Sequence, residues 1–520
     1  MLVHSYEPTE KKKVFYGYAI FWFSLGICYN AGKTLILPVA LEITSFSTIL
    51  IYSGTKYGKK QIKSLSSLLL ASGISAVFLS AWIFLPDGDV NGLIFLSIGL
   101  LLKSGFSGFH IWLPKVNDGG PSHALGSFAG VLEIFPLLLF YKFVIPNQLP
   151  PLFYQILFPL AAIGIFFGGI TSFFHKNVKV ALAYSSIESL NFLWLCLIIT
   201  GMFQFSNLSD LRLLSDSFRV LFFLGLFHHS FSKTFQLFLF GMVSRIKNSE
   251  NSNELKGVGR YLNLSPIILG IGTFSYAVLP CTLGFITEST YFYLNARILD
   301  MPIGRSVLLL PSLVFIFFGI VLGGFAHIKL FLSIFLSTPE ADDKIILLDK
   351  PRMSWILISL LSLGVIIIFL PMVFPYLIQI TPLVTFVDPG LMQWFYTISN
   401  ISILTFLVVS ITIFFRNTKA EKNSWDCGGG YNGHELSIPA KVFSEPLKHS
   451  LGRYFLNQNG DSKIDYSILY LFNFIFALSK KILKQTTTNR DEDVSQYLAV
   501  SSIFLIMIFS LLIMSSSGWF

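Results

Sequence analysis

Eleven ionisable side chains sit inside stretches that otherwise suit hydrocarbon: Glu42, Lys103, His110, Glu133, Glu188, His228, His229, Lys233, Glu288, His327 and Lys329. A charge at the centre of a bilayer costs about 2.5–3.5 kcal/mol even on the lenient insertion scale, so such residues mark function by default. Carboxylates, amines and imidazoles follow one another from run to run. Histidine exchanges protons near neutral pH, and burial together with neighbouring charge can bring Glu and Lys into the same range. A Glu beside a Lys also lowers the cost of burying either one. His229 and Lys233 are four residues apart and share a helix face. Lys179 and Glu188 bracket the start of one apolar run. The chemistry this pattern predicts is the stepwise movement of protons along a buried row. Position alone predicts that Lys142, Lys179, His327 and Lys329, which fall near the ends of their runs, reach the headgroup region with their long or amphipathic side chains.

The elements that must hold such a row are membrane-spanning helices. Runs of roughly 20 mostly apolar residues fall near 15–30, 34–53, 64–85, 92–110, 121–143, 151–174, 180–202, 216–243, 263–287, 306–336, 353–376, 391–415 and 497–516. They are too long for barrel strands, so they predict an all-α membrane protein, a polytopic helical bundle of about 13 spans. Two stretches are too rich in Gly and Pro to be continuous helix. One is 103–123, KSGFSGFHIWLPKVNDGGPSH, with Gly105, Gly108 and Pro114; the other is 279–288, LPCTLGFITE, with Pro280 and Gly284. Irregular backbone at membrane depth survives only where protein or water surrounds it. Two interruptions in corresponding places point to a transport site built from repeated halves. Each has an ionisable neighbour, Lys103 in the first and Glu288 in the second.

The placement of Lys and Arg sets the expected orientation. Alternate loops hold Lys11, Lys12 and Lys13, then Lys56, Lys59, Lys60 and Lys63, then Lys176 and Lys179, then Arg245, Lys247, Lys256 and Arg260, then Lys344, Lys350 and Arg352. The opposite loops are almost bare. The positive-inside rule then predicts a cytoplasmic N-terminal tail at 1–14 and a transmembrane domain over 15–416. A polar cytoplasmic segment is expected over 417–496, and a C-terminal transmembrane anchor over 497–520. Within the polar segment, 465–484 (DYSILYLFNFIFALSKKILK) reads either as an amphipathic helix lying along the membrane face or as a further short span.

Composition excludes several alternatives. The chain is 53% hydrophobic and only 12% charged, against about 25% charged in soluble domains. Its formal net charge of +9 is accounted for by the loop bias, so nucleic-acid binding is not expected. The four cysteines, Cys28, Cys196, Cys281 and Cys427, are scattered without paired spacing, so neither a metal nor an iron–sulfur site is expected. No nucleophile constellation or cofactor motif occurs in the aqueous segments, and the N-terminus has no cleavable signal peptide.

Several motifs, in order along roughly 15–450, resemble the antiporter-like subunits shared by respiratory complex I, multi-subunit sodium/proton antiporters and membrane-bound hydrogenases. The branch that the chain most resembles is hydrogenase 4 component B and its formate hydrogenlyase relative. The motifs are KSGFSGFHIWLP (Lys103–Pro114), GGPSH ending at His123, VKVALAYSSIE with Lys179 and Glu188, HSFSK (His229–Lys233), LPCTLGFITE (Leu279–Glu288) and LEITSFS with Glu42. Nearer the C-terminus, SWDCGGGY and IPAKVFSEPL are similar to hydrogenase-branch segments. The resemblance implies two inverted five-helix repeats, each with a broken helix. It implies a proton relay through Glu42 and Lys103 in one half and Lys233 and Glu288 in the other, with His123, Glu133, Lys179, Glu188 and His229 among the relay candidates. It implies a membrane subunit of an NADH dehydrogenase-like or hydrogenase-like respiratory complex, in the inner membrane of a bacterial cell. It also implies no cofactor of its own, redox chemistry in partner membrane subunits, and the in-plane helix.

The chain departs from the family pattern in three places. The hydrogenase branch has a lysine just after the first broken helix, where Ile134 stands beside Glu133; either that relay lysine is absent or Glu133 takes its role. The usual acidic residue after WLP is Lys115. About three spans usually precede the segment that starts at residue 15, so either the chain is shortened or its front spans lie in another subunit. Two other readings remain open on the sequence: a component of a multi-subunit sodium/proton antiporter, and a structural subunit that has lost pumping.

Overall fold

The computed structural model describes residues 8–52, 59–262, 266–300, 309–337, 350–380 and 387–415, with positions 442, 444 and 445. Cys427 and the stretches 465–484 and 497–516 lie outside the described residues. The described chain is almost entirely helical, and an isolated bridge between Asn177 and Asn251 is the one β-pairing among those residues. Seven of these helices are long and apolar enough to cross a membrane, and the chain is an integral membrane protein. In hydrocarbon every backbone N–H and C=O must find its partner internally, which the helix achieves within each segment.

Two compact units divide the chain at Pro150. The first contains α1 (Pro8–Asn30), α2 (Ile36–Tyr52), α3 (Lys59–Phe84), α4 (Val90–Lys103), α5 (Trp112–Gly119), α6 (Ser122–Ser127) and α7 (Phe135–Phe143). The second contains α8 (Pro151–Phe174), α9 (Val178–Phe203), α10 (Ser209–Lys247), α11 (Pro266–Tyr276), α12 (Leu283–Asp300), α13 (Leu309–Phe331), α14 (Lys350–Gln379) and α15 (Pro389–Phe415).

Several expected spans differ from the helices: 92–110 overruns α4, which ends at Lys103, 306–336 is α13 continued by a π-helical turn over Leu332–Leu336, and three more differ as follows. The run 121–143 is α6 and α7 joined by a π-helical turn over Phe128–Leu132. The run 263–287 is divided between α11 and α12, and the second of these continues to Asp300. The run 216–243 lies within α10, whose 39 residues extend roughly 58 Å, well beyond a hydrocarbon core about 30 Å thick.

Both irregular stretches named by the sequence are breaks between helices. The first separates α4 from α5. Ser104 ends α4, Gly105 and Gly108 take φ of 68° and 90°, and Pro114 lies just beyond the break, inside α5. The indole of Trp112 donates across the gap to the Leu102 carbonyl at 3.0 Å, so a helix end left open by the break is capped from the far side. The second break separates α11 from α12 and contains Pro280. Here Val278 and Cys281 adopt positive φ of 58° and 66°, which costs a residue with a side chain of order 1–3 kcal/mol and is held only by well-determined surroundings. Gly284, in the first turn of α12, donates its N–H to Ser275 Oγ at 3.1 Å, and a Cβ there would lie 1.7 Å from the Ser275 carbonyl oxygen. Only glycine allows α12 to start so close to α11.

The second unit is centred on α9, which is buried along nearly its whole length and packs against α8, α10 and α13. Small residues make this possible, as in membrane bundles generally. A Cβ on Gly169 of α8 would meet the Gly319 carbonyl of α13 at 2.1 Å, and one on Gly168 would meet the Glu188 backbone nitrogen of α9 at 2.5 Å. By contrast, α15 is exposed over most of its apolar surface.

Candidate functional site

In the first unit, Glu42 sits in the second turn of α2 and Lys103 at the last residue of α4, against the broken segment. The two side chains are 7% and 3% exposed. Removing an ion from water costs several kcal/mol, which a good partner must repay. Lys103 Nζ and Glu42 Oε1 are 4.0 Å apart, and a hydroxyl stands between them. Ser72 of α3 donates to Glu42 Oε1 at 2.5 Å and accepts from Lys103 Nζ. The amine also donates to Ser45 Oγ at 2.8 Å and reaches the Leu41 carbonyl at 3.5 Å. Its three N–H groups therefore each have an acceptor. With its hydrogen committed to Glu42, Ser72 is an acceptor toward Lys103 and toward Ser45, 2.7 Å away. One concerted shift can pass a proton from the amine to the carboxylate through Ser72, leaving a neutral amine and a neutral acid.

In the second unit the pattern recurs with different neighbours. Lys233 of α10, fully buried, donates to Ser185 Oγ of α9 at 2.8 Å and to the Leu182 carbonyl at 3.4 Å. Its ammonium lies 4.0 Å from the centre of the Tyr276 ring, close enough for a cation–π contact that burial strengthens. Glu188 follows Ser185 by one helical turn and feels the Lys233 charge. Space for its carboxylate comes from Gly323 of α13, where a Cβ would lie 3.1 Å from Glu188 Oε2. His229 Nδ1 and Ser189 Oγ are 2.8 Å apart. Glu288, on α12 just past the second break, is 6% exposed and interacts electrostatically with Glu188; its Oε2 makes no hydrogen bond among the described residues.

The remaining candidates are more dispersed. Glu133 is buried between the π-helical turn and α7. His123 is half-buried; its carbonyl accepts from the Tyr18 hydroxyl at 3.1 Å, and its ring lies 6.5 Å from the Tyr18 ring. Lys179, at the start of α9, pairs with Glu250 at 2.6 Å, and Glu250 also accepts from Asn177 at 3.1 Å. Lys142, at the end of α7, donates to the Tyr29 carbonyl and lies 4.7 Å over its ring, in keeping with its assignment to a run end.

His327 and Lys329 correct the interfacial reading of their run end. Both are buried, 1% and 3% exposed. Lys329 donates to the Phe173 carbonyl, and His327 Nε2 is 2.6 Å from Ser185 Oγ. A hydropathy window locates the end of an apolar run, not what packs around it, and here α8, α9 and α11 cover α13. The serines that contact the two lysines are not singled out by the sequence pattern. Ser45 and Ser185 could have been found as the residues one turn from Glu42 and Glu188, whereas Ser72 carries no sequence signal. Among the described residues no group of three His, Cys, Asp or Glu is placed to hold a metal, and Cys28, Cys196 and Cys281 are free thiols.

Residues 31–299 match the family described as "NADH:quinone oxidoreductase/Mrp antiporter, TM". The chain is 23% identical over 335 residues to NADH-quinone oxidoreductase subunit N of Buchnera aphidicola subsp. Acyrthosiphon pisum, covering 57% of this chain and 63% of that one. The chain thus spans just under two thirds of the length of that relative. A chain in the structure of the Mrp complex from Dietzia sp. DQ12-45-1b has a similar fold, with a TM-score of 0.57 and 15% identity over 92% of this chain and 49% of that one. A chain of the membrane-bound sulfane sulfur reductase, an archaeal respiratory membrane complex, has a TM-score of 0.52 and 16% identity over 71% of this chain and 72% of that one.

Proposed function

The chain belongs to the NADH:quinone oxidoreductase/Mrp antiporter transmembrane family, and from that premise we propose that it is a proton-translocating membrane subunit of an NADH dehydrogenase-like or hydrogenase-like respiratory complex. The observation that carries this reading is the repeated arrangement of a buried lysine that donates to a helix carbonyl and a serine hydroxyl beside a glutamate: Lys103 with Leu41, Ser45 and Glu42, and Lys233 with Leu182, Ser185 and Glu188. Each unit thus contains groups able to hold and pass a proton away from lipid.

In this reading Glu42 and Lys103 form one half-channel, with Ser72 as the bridge. Lys233 exchanges with Glu188 and Glu288 in the other, with His229 beside them. His123, Glu133 and Lys179 are the further relay positions, and Glu133 serves where the related hydrogenase branch has a lysine. The two units represent the inverted repeats, and the breaks after Lys103 and before Glu288 are their corresponding discontinuous helices. The subunit crosses a bacterial inner membrane about 13 times, with 1–14 and 417–496 in the cytoplasm. Oxidoreduction takes place in partner subunits and drives the buried charges without a cofactor in this chain.

Two results test this. Glu288→Gln keeps the size and hydrogen-bonding capacity of the side chain but cannot carry a proton. Inverted vesicles containing the whole complex, supplied with NADH or hydrogen, are expected to acidify at no more than about a tenth of the wild-type rate, with the complex intact on a native gel. An unchanged rate would remove Glu288 from the path. Ser72→Ala leaves Lys103 and Glu42 in place and removes charge-assisted hydrogen bonds worth about 1.5–3 kcal/mol each. Acidification is expected to slow about tenfold; a wild-type rate would show that the proton crosses without this hydroxyl. Proton release driven by sodium alone, with no electron donor, would favour the antiporter reading instead.

A further inference from the structure

His327 is buried, lies within reach of the second lysine, and has no role in the scheme above. Its contacts come from three helices, α9, α10 and α11. Ser185 of α9 faces Nε2 at 2.6 Å, and Gln236 of α10 faces Nδ1 at 2.9 Å. The Tyr276 ring of α11 stacks on the imidazole at 4.7 Å and 26°. The charged or titratable groups nearby are Lys233, which shares Ser185, and His228, on the other contact of the Tyr276 ring at 4.8 Å. Glu188 lies one turn along α9 against Gly323, and Lys329 is two residues on, turned to the Phe173 carbonyl.

The Gln236 amide fixes the state of this ring. Its nitrogen donates to the Gly272 carbonyl at 3.2 Å as well as to His327 Nδ1. A carbonyl can only accept, so the NH₂ end must face Gly272, and its second hydrogen then points at Nδ1. Nδ1 is therefore an acceptor, and the neutral ring carries its hydrogen on Nε2, directed at Ser185. Lys233 and His327 both donate to one hydroxyl. A second proton cannot settle on Nδ1 while an amide N–H occupies that lone pair. Turning the amide over gives up the bond to the Gly272 carbonyl and presents Oε1, which makes no hydrogen bond among the described residues in the present setting, to an Nδ1–H.

We propose that His327 exchanges a proton with Lys233 through Ser185, and that Gln236 is the latch that decides when His327 can hold it. The inference rests on the relay reading of Lys233. With the amide turned, a transported proton binds Nδ1 and gives an imidazolium. The Nε2–H bond then breaks as its proton moves to Ser185 Oγ, and the hydrogen of Ser185 moves to the neutral amine of Lys233. The products are a cationic Lys233, an unchanged serine and a neutral ring protonated at Nδ1. The reverse sequence unloads Lys233 by the same path.

The test compares three variants of the whole complex in inverted vesicles. His327→Gln retains hydrogen bonding but cannot relay; acidification is expected to fall at least about tenfold. Gln236→Glu offers an oxygen to Nδ1–H in either orientation, so the imidazolium persists to higher pH and the alkaline limb of the rate profile is expected to move up by about one pH unit. Lys233→Ala is the control for the relay itself. Loss in Lys233→Ala with a wild-type rate in His327→Gln overturns this inference alone; a wild-type rate in Lys233→Ala overturns the relay reading. If His327→Gln fails to assemble, the Gln236→Glu profile decides, and an unmoved alkaline limb rejects the latch.

Discussion

Lys233→Ala is expected to reduce proton transport by the assembled complex at least about a hundredfold, the lower end of what a positioned proton-transfer group contributes, whereas Lys142→Ala is expected to leave the rate essentially unchanged. Both residues are lysines of the same chain, so the comparison separates placement from residue type. Lys233 is wholly buried and its ammonium is held by Ser185, the Leu182 carbonyl and the Tyr276 ring. Lys142 ends α7 and reaches the Tyr29 carbonyl and ring. Acidification of inverted vesicles is the measurement, with native gels reporting assembly. Equal effects in the two variants would remove the distinction between a relay lysine and a lysine that anchors a helix end.

Lys103→Ala is expected to cause a loss of similar size through a different structural route. The variant leaves the buried Glu42 carboxylate without its counter-charge. Stranding a buried charge costs about 3–5 kcal/mol, but Glu42 can escape most of that by taking up a proton and donating it to Ser72. Assembly is therefore expected to survive while transport does not. The double variant Lys103→Ala/Glu42→Gln tests the cause. It removes the stranded charge, so it is expected to restore any lost assembly without restoring acidification. Recovery of transport in the double variant would show that the pair serves only to hold α2, α3 and α4 together.

The buried ionisable groups are legible in the sequence, whereas the groups that join them are not. Glu42, Lys103, Lys233 and Glu288 stood out because a charge within an apolar run is costly, and the structure places all four in buried positions. Gly105, Gly108 and Pro280 lie between helices, where their local backbone preferences suit irregular chain. Gly284 fell inside α12, where its missing side chain serves close packing and not a turn. What joins the ionisable groups could not be read from sequence. Ser72 lies on α3, and a serine in a membrane helix most often bonds its own helix, as Ser80 does with the Ala76 carbonyl at 2.8 Å. His327 and Lys329 read as interfacial in sequence because a one-dimensional run has an end but no neighbours. The pairing of Lys179 with Glu250 depends on a loop folding back against the start of α9, which spacing along the chain does not encode.

The most direct measurement is the initial rate of acidification by the intact complex carrying both Lys103→Ala and Lys233→Ala, at matched rates of oxidation of its electron donor. If protons cross through these buried lysines, donor oxidation continues while acidification by the complex falls at least about a hundredfold. Acidification at the wild-type rate, with both amines gone and the complex intact, would contradict the account.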